Sequence, residues 1–357
     1  MSFRYEGTIR VVLCVLSILV GFAVLEVGCR LWHGPGWLFT WPNLVAQERA
    51  DPVADMWRNY IYDPVSGYAL RPHLATPDLH TDEGGFRVVP GSVPPSPARA
   101  PILASGDSFT MGDEVRDDES WPAQLTSLHQ RTVVNAGVAG YSLAQSVLRA
   151  EALAARLMPR AIVVGFIADD IERGAYSRRF TMEMPYFVPS TDGGDITLAN
   201  APPSPVRDPR TTLTLTERVL GRSMLVDTIV RRLRLEEPWF ADRRRALSNA
   251  EVERTVCPMM RRLAALGVPT IVVAQYDDDM WTGDSAARDE ESRLTRLVLD
   301  CAAAAGLGTL DMFKITDAAV RAHGVAGLYK AQGHHTALGN RLTAEALSDA
   351  LTRLVPP

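Results

Sequence analysis

The sequence predicts an α/β domain, a three-layer sandwich around a central parallel sheet, preceded by one N-terminal transmembrane helix. Three observations carry this. Short apolar runs at 101–104, 133–135, 161–167, 270–275 and 308–312 alternate with segments of helical period, the pattern of a parallel sheet with crossover helices. Glycine-bearing turns follow several of these runs, at the strand ends where such sheets bind ligands. Val11–Cys29 is a nineteen-residue apolar stretch with Glu26 as its only charge, close to the length that spans a bilayer.

The 357 residues suffice for one large domain or two small ones, and 46% hydrophobic with 22% charged residues is ordinary for a globular core. A net charge of −5 gives no electrostatic reason to expect nucleic acid. None of the four cysteines falls in a C-x-x-C pair, which argues against zinc or a redox motif. Cys14 and Cys29 lie in the apolar N-terminus. Cys257 and Cys301 lie in separate predicted helices, and two buried free thiols are expected there rather than a bridge.

Residues 1–10 are expected on the cytoplasmic side, because Arg4 and Arg10 precede the span. The span itself is read as 11–30. It is too long for a typical signal h-region and no small-x-small cleavage pattern closes it, so an uncleaved anchor is expected. Trp32, Trp37 and Trp41 fit an interfacial aromatic belt. Glu26 is expected to snorkel or to pair with Arg30.

Residues 31–100, rich in Pro, Gly and Trp, read as a linker and irregular wrap. Prolines 90, 94, 95, 97 and 101 form a spacer before the first core strand. The domain then fills 101–357. Ile102–Val115, ILASGDSFTMGDEV, reads as a strand, a tight turn and a helix, with Ser108 at the junction. A serine there is reachable, and its own N–H is one of the unpaired donors of a helix start. Val133–Asn135 is a short strand ending in the turn NAGVAGYS. The next helix carries Leu143, Val147, Ala150, Ala154 and Leu157 at helical spacing, and Pro159 ends it. Ala161–Ile167 reads as a buried central strand, ending in Ala168-Asp169-Asp170.

Residues 176–249 are expected as an insertion: a hairpin around Asp192-Gly193-Gly194, then an amphipathic helix, Glu217–Arg234. Its basic end, Arg231, Arg232 and Arg234, reads as a solvated face. A helix over 251–266 is expected, kinked or started late by Pro258. The Asp277-Asp278-Asp279 run after strand 270–275 reads as a solvated loop rather than a cation site. Helix 287–304, strand 308–312 and helix 337–354 close the chain.

Four of these segments, in order, resemble the blocks of the SGNH (GDSL-type) hydrolase family, in particular bacterial membrane-anchored members: GDSFTMG at 106–112, NAGVAG at 135–140, IADDI at 167–171 and GHHTALGNRLTAEAL at 333–347. TDEGGFR at 81–87 is similar to the lead-in of the anchored members. The resemblance implies a flavodoxin-like three-layer fold. It implies Ser108 as nucleophile and His334 as base, chosen over His335 by its distance to Gly339. The oxyanion donors it implies are the N–H groups of Ser108 and Gly140. Two positions depart from the family. Gln332 stands where the triad acid belongs, and such an amide costs roughly 10⁴ in turnover in serine proteases. Asp169 stands where an oxyanion asparagine belongs, and a carboxylate donates there only if protonated. If Gln332 does not serve, the Asp113–Glu114 pair is the other source of an acid, although both read more simply as solvated.

The function this implies is an extracytoplasmic, membrane-anchored serine acylesterase or O-acyltransferase acting on acyl, chiefly acetyl, esters of cell-surface glycan. The alternative is a non-catalytic glycan-binding or assembly module on the same fold. No cofactor or metal is expected, and no nucleic acid. A nucleotide-binding reading is weak, because neither G-x-G-x-x-G nor G-x-x-x-x-G-K-[ST] occurs.

Overall fold

A computed structural model describes residues 2–92, 99–191, 194–205 and 208–355. Prolines 94, 95 and 97 of the expected spacer, and Asp192-Gly193 of the expected hairpin tip, lie outside the described residues.

The chain divides into two compact units, residues 1–56 with 207–243, and residues 57–206 with 244–357. The larger unit is built on five parallel strands: β1 Ile102–Ser105, β2 Val133–Asn135, β3 Ala161–Phe166, β4 Thr270–Ala274 and β5 Gly308–Asp311. Their order across the sheet is β5-β4-β3-β1-β2. Read from the other edge this is 2-1-3-4-5, the flavodoxin-like order, with its switch point between β1 and β3. Ile102 pairs with Val133 on one side and Ala161 on the other; Thr270 pairs with Ile162 and Ile271 with Gly308.

Successive strand residues point to opposite faces, and both faces are buried. Leu103, Val134, Ile162, Val164 and Val272 pack under helices Leu143–Leu157, Asn249–Ala264 and Ser285–Ala304. Ile102, Ala104, Val133, Val163, Ile271 and Val273 pack with Trp121, Leu125, Ala344, Leu347 and Leu351 on the other side. That second layer comes from helices Trp121–His129 and Ala337–Leu354. The three layers expected from the alternating runs are therefore present.

Helix Asn249–Ala264 carries Pro258 in its interior, so the proline neither starts nor ends it. Cys257 of this helix and Cys301 of helix Ser285–Ala304 form a disulfide across 44 residues. The free thiols expected from the sequence are thus corrected: the two helices pack with these faces together. Strands Tyr186–Pro189 and Ile196–Ala199 pair antiparallel, as the hairpin pattern predicts.

The smaller unit begins with a helix, Ser2–His33, of which Ile9–His33, 25 residues, is long and apolar enough to cross a membrane. Helix Leu44–Asn59 stands where an irregular wrap is expected. The single helix expected over 217–234 is two, Leu215–Leu220 and Met224–Arg232. Thr214 and Ser223 each cap their own helix start, and Gly221 ends the first. A capping serine two residues after a glycine is a stop-and-restart signal that the continuous apolar period masks. Val45, Leu213, Val230 and Phe240 form the core of this unit.

Candidate active site

The site is assembled at the carboxyl ends of β1 and β2. β1 ends at Ser105, and Gly106 follows with no room for a side chain: a Cβ there would lie 2.7 Å from the Gly165 carbonyl oxygen. Asp107 is fully buried and caps the short helix Ser108–Met111 by accepting the Phe109 N–H at 3.0 Å. Ser108 is thereby the first residue of that helix, where an N–H has no intrahelical acceptor. Among the described residues neither the Ser108 N–H nor the Gly140 N–H donates to another protein group. Gly140 sits at φ +74°, a conformation that favours glycine. Its turn is braced from the lead-in hairpin Tyr60–Asp63/Gly67–Leu70. The Tyr68 hydroxyl donates to the Ala139 carbonyl at 2.9 Å, and the Tyr141 hydroxyl donates to Ser66 Oγ at 2.6 Å.

His334 Nε2 lies 2.9 Å from Ser108 Oγ. On the other side of the ring, Nδ1 lies 2.9 Å from Glu114 Oε2. The three side chains form one hydrogen-bonded line, hydroxyl to imidazole to carboxylate. This corrects the expectation for the acid. Gln332 has an exposed side chain, and its backbone N–H donates to Glu114 Oε1 at 3.3 Å. The His334 N–H also approaches Oε2, at 3.4 Å. Both oxygens of Glu114 are therefore turned toward the 332–334 segment.

Glu114 reaches this position through an uncommon backbone. Its φ is +61°, in the left-handed region, where a non-glycine residue costs about 1 kcal/mol or more. Arg87 holds the loop in place. Its buried guanidinium donates to the carbonyls of Met111 at 3.0 Å, Val115 at 2.6 Å and Gly112, and to Asp117 Oδ1 at 2.8 Å. Asn135 Nδ2 adds a bond to the Met111 carbonyl at 3.1 Å. The sequence offers Glu114 only as half of the fallback Asp113–Glu114 pair, and does not identify Arg87 as a site residue. The available signals were the acidic pair just past the Ser108 turn and the arginine closing TDEGGFR.

His335 hydrogen-bonds Ser108 through neither ring nitrogen. It is buried between Phe109, at 4.9 Å between ring centres, and Tyr329, at 5.1 Å. Burial first, then the neighbouring His334, pushes its pKa down to about 3. A ring held neutral through the whole ordinary pH range leaves His334 as the imidazole that answers to Ser108.

Asp169, at the start of helix Asp169–Arg173 after β3, is largely exposed and pairs with Arg173 at 3.4 Å. Its carboxyl side chain has no N–H to offer an oxyanion, unlike the asparagine of the resembled family. Arg173 also meets the fully buried Asp170 at 2.5 Å, and Asp107 at 3.7 Å. Burial raises the pKa of both carboxyls, Asp170 strongly, and the arginine works against the rise. Asp277 is pushed up to about 6 by burial and then by Asp169 and Asp279. Among the described residues no group of three or more His, Cys, Asp or Glu is placed to hold a metal ion.

No family model matches the sequence, and no curated relative matches it. The chain is similar to solved structures at low identity. One is LAE5, an α/β hydrolase enzyme from the metagenome of Lake Arreo, Spain: 16% identity, 71% of this chain and 96% of that one, TM-score 0.44. A second is the lipase/acylhydrolase from Enterococcus faecalis: 17% identity, 72% and 98%, TM-score 0.38. A third is Axe2, an acetylxylan esterase from Geobacillus stearothermophilus: 13% identity, 71% and 94%, TM-score 0.43.

Proposed function

We propose that this protein is a serine acyl hydrolase or acyltransferase whose nucleophile is Ser108, whose base is His334 and whose acid is Glu114. The observation that carries the reading is the pair of 2.9 Å contacts on the two nitrogens of His334. Glu114 accepts the Nδ1 proton, which leaves Nε2 as the basic nitrogen facing Ser108. In the first half-reaction Ser108 Oγ attacks the ester carbonyl and its proton passes to Nε2. Collapse of the tetrahedral intermediate returns that proton to the departing alkoxide and leaves an acyl-serine. In the second half, water or a second hydroxyl gives its proton to Nε2 and takes the acyl group, restoring Ser108. The free N–H groups of Ser108 and Gly140 are the donors for the oxyanion in both halves.

The wider reading is of an enzyme anchored by residues 11–30, with its catalytic domain outside the cytoplasm. Support comes from the apolar helix and from the Cys257–Cys301 disulfide, since such bridges persist in oxidising compartments. The resemblance to anchored SGNH members supplies the substrate class, O-acyl esters of cell-surface glycan, with acetyl the leading acyl group.

The test is labelling by a serine-directed fluorophosphonate in the folded wild type, with Ser108→Ala as control. The expected result is one labelled site, lost in the variant, together with hydrolysis of p-nitrophenyl acetate by the wild type alone. Wild-type protein that neither labels nor hydrolyses at neutral and mildly alkaline pH would make the domain a binding or assembly module.

A further inference from the structure

In the smaller unit the spanning helix is joined by Glu26, the one charge of its apolar stretch 11–29, to a segment almost two hundred residues later. Glu26 accepts the Ser223 hydroxyl at 2.7 Å and the N–H groups of Met224 and Leu225 at 2.9 Å each. It therefore caps helix Met224–Arg232 from outside. Arg30, one turn on, bonds Glu26 at 2.6 Å and donates to the carbonyls of Trp37, Thr40 and Arg222, each at 2.7 Å. Its guanidinium stacks 3.3 Å above the Trp41 ring. Both charges are almost completely buried. A carboxylate and a guanidinium satisfied this completely are a fixed joint rather than a snorkelling pair.

The joint has a definite height on the helix. A bilayer core about 30 Å thick takes about 20 helical residues. Counted from Ile9, where the apolar span begins, that reaches to about residue 29. Glu26 and Arg30 thus bracket the outer edge of the hydrocarbon. The segments tied to them expose apolar side chains without a protein partner. Leu215 is 78% exposed, Val219 63%, Ile229 46% and Leu233 62%, with Trp32 at 88% and Phe39 at 85% on the helix end and its following turn. Arg232 and Arg234, both exposed, alternate with Leu233 and Leu235 at the end of the pinned helix. Apolar side chains interleaved with arginine at this depth are the chemistry of an element lying in the bilayer interface.

We infer that residues 213–235 form a monotopic collar, seated in the interfacial layer of the leaflet where the spanning helix ends, with Leu215, Val219, Ile229 and Leu233 among the acyl chains. The inference rests on the reading of Ile9–His33 as a membrane span. It changes the meaning of the basic end at 231–234 from a solvated face to one lying against lipid phosphate.

The test uses the full chain in nanodiscs of phosphatidylcholine and phosphatidylglycerol. Cys14→Ser and Cys29→Ser remove the free thiols and leave the disulfide intact. Single cysteines introduced by Leu215→Cys, Ile229→Cys or Leu233→Cys carry an environment-sensitive nitrobenzoxadiazole label, and circular dichroism confirms the fold of each variant. Lipid brominated near the headgroup is expected to cut the fluorescence at these three positions by roughly half. Two controls frame the result. Leu16→Cys, inside the span, is expected to be quenched by lipid brominated deep in the chain, and each labelled variant in nanodiscs without brominated lipid sets the unquenched level. Quenching at Leu16 with none at 215, 229 or 233 beyond that unquenched level overturns the collar and keeps the anchor, whether water, protein or a second copy covers that face. Absence of quenching at Leu16 overturns the anchor and the collar together.

Discussion

Glu114 and His334 stand 220 residues apart in the chain, and Glu114 Oε2 lies 2.9 Å from His334 Nδ1. The loop just past the Ser108 turn thus reaches across to the C-terminal block and supplies a carboxylate to its histidine. In this way one short stretch, Ser108 to Glu114, holds both ends of the hydrogen-bonded line. That arrangement makes the roles of Glu114 and Gln332 separable by mutation.

Glu114→Gln is expected to lower kcat on p-nitrophenyl acetate by roughly 10³ to 10⁴, the scale of an acid-to-amide change in a serine triad. The amide keeps the shape and loses the charge that stabilises the imidazolium. Gln332→Ala is expected to change kcat less than about three-fold, because that side chain is exposed and only its backbone reaches Glu114. The reverse order of effects would return the acid's role to position 332.

Arg87 acts through the loop it holds. Arg87→Lys keeps a charge near Asp117 but cannot form the planar fork that serves four carbonyls, those of Asp78, Met111, Gly112 and Val115. The expected result is a kcat roughly ten-fold lower with KM almost unchanged, since Glu114 shifts while the substrate surface does not. Arg87→Met leaves Asp117 buried and without its arginine, and is expected to cost about 3 kcal/mol of stability in denaturant unfolding.

The disulfide closes a loop of 44 residues between two packed helices. Chain-entropy arguments put its stabilisation at about 4 kcal/mol. Cys257→Ser with Cys301→Ser is expected to lower the unfolding midpoint by roughly 10 °C. Peptide mapping without reductant is expected to recover the 257–301 cross-link from protein made in an oxidising compartment.

Glu291, buried on helix Ser285–Ala304, is pushed up to about 8 by burial and by Asp277, Asp169 and Asp279. In the unfolded chain it titrates near 4.3. Between these values the folded state binds the extra proton, so stability from this group is full below about pH 4.3 and falls as pH rises to about 8. Glu291→Gln removes the titration. The variant is expected to gain melting temperature over wild type as pH increases, by roughly 5 °C more near pH 8 than near pH 5. His335, held neutral down to about 3, acts in the opposite sense, with stability rising with pH from about 3 to 6.5. It is common to both proteins and cancels in the difference. A pH-independent difference would mean that Glu291 is already ionised in the folded state.

Much of the site is legible in the chain because its parts are local. Ser108 and Gly140 each sit in a turn that directly follows a strand, where a glycine and a short helix start specify the geometry within a few residues. His334 is marked only through the family resemblance, by its distance to Gly339 in the first turn of helix Ala337–Leu354. Four of the five core strands are legible because both faces of the sheet are buried there, which leaves continuous apolar runs, whereas the edge strand β5 is only partly buried. The acid is not legible. Nothing in Asp113-Glu114 distinguishes a solvated pair from a ligand of His334, because its direction depends on a positive φ and on an arginine 27 positions earlier.

The sequence by itself determined the α/β class, the apolar N-terminal helix, and the turns that present Ser108, Gly140 and His334. Each depends on period, glycine placement or turn chemistry, which act over a few neighbouring residues. Only the tertiary structure decided that Glu114 partners His334, that Cys257 meets Cys301, and that Glu26 caps the helix beginning at Met224. Those are contacts between segments 44 to 220 residues apart. Their geometry is set by how helices rotate and pack, and no local pattern encodes it.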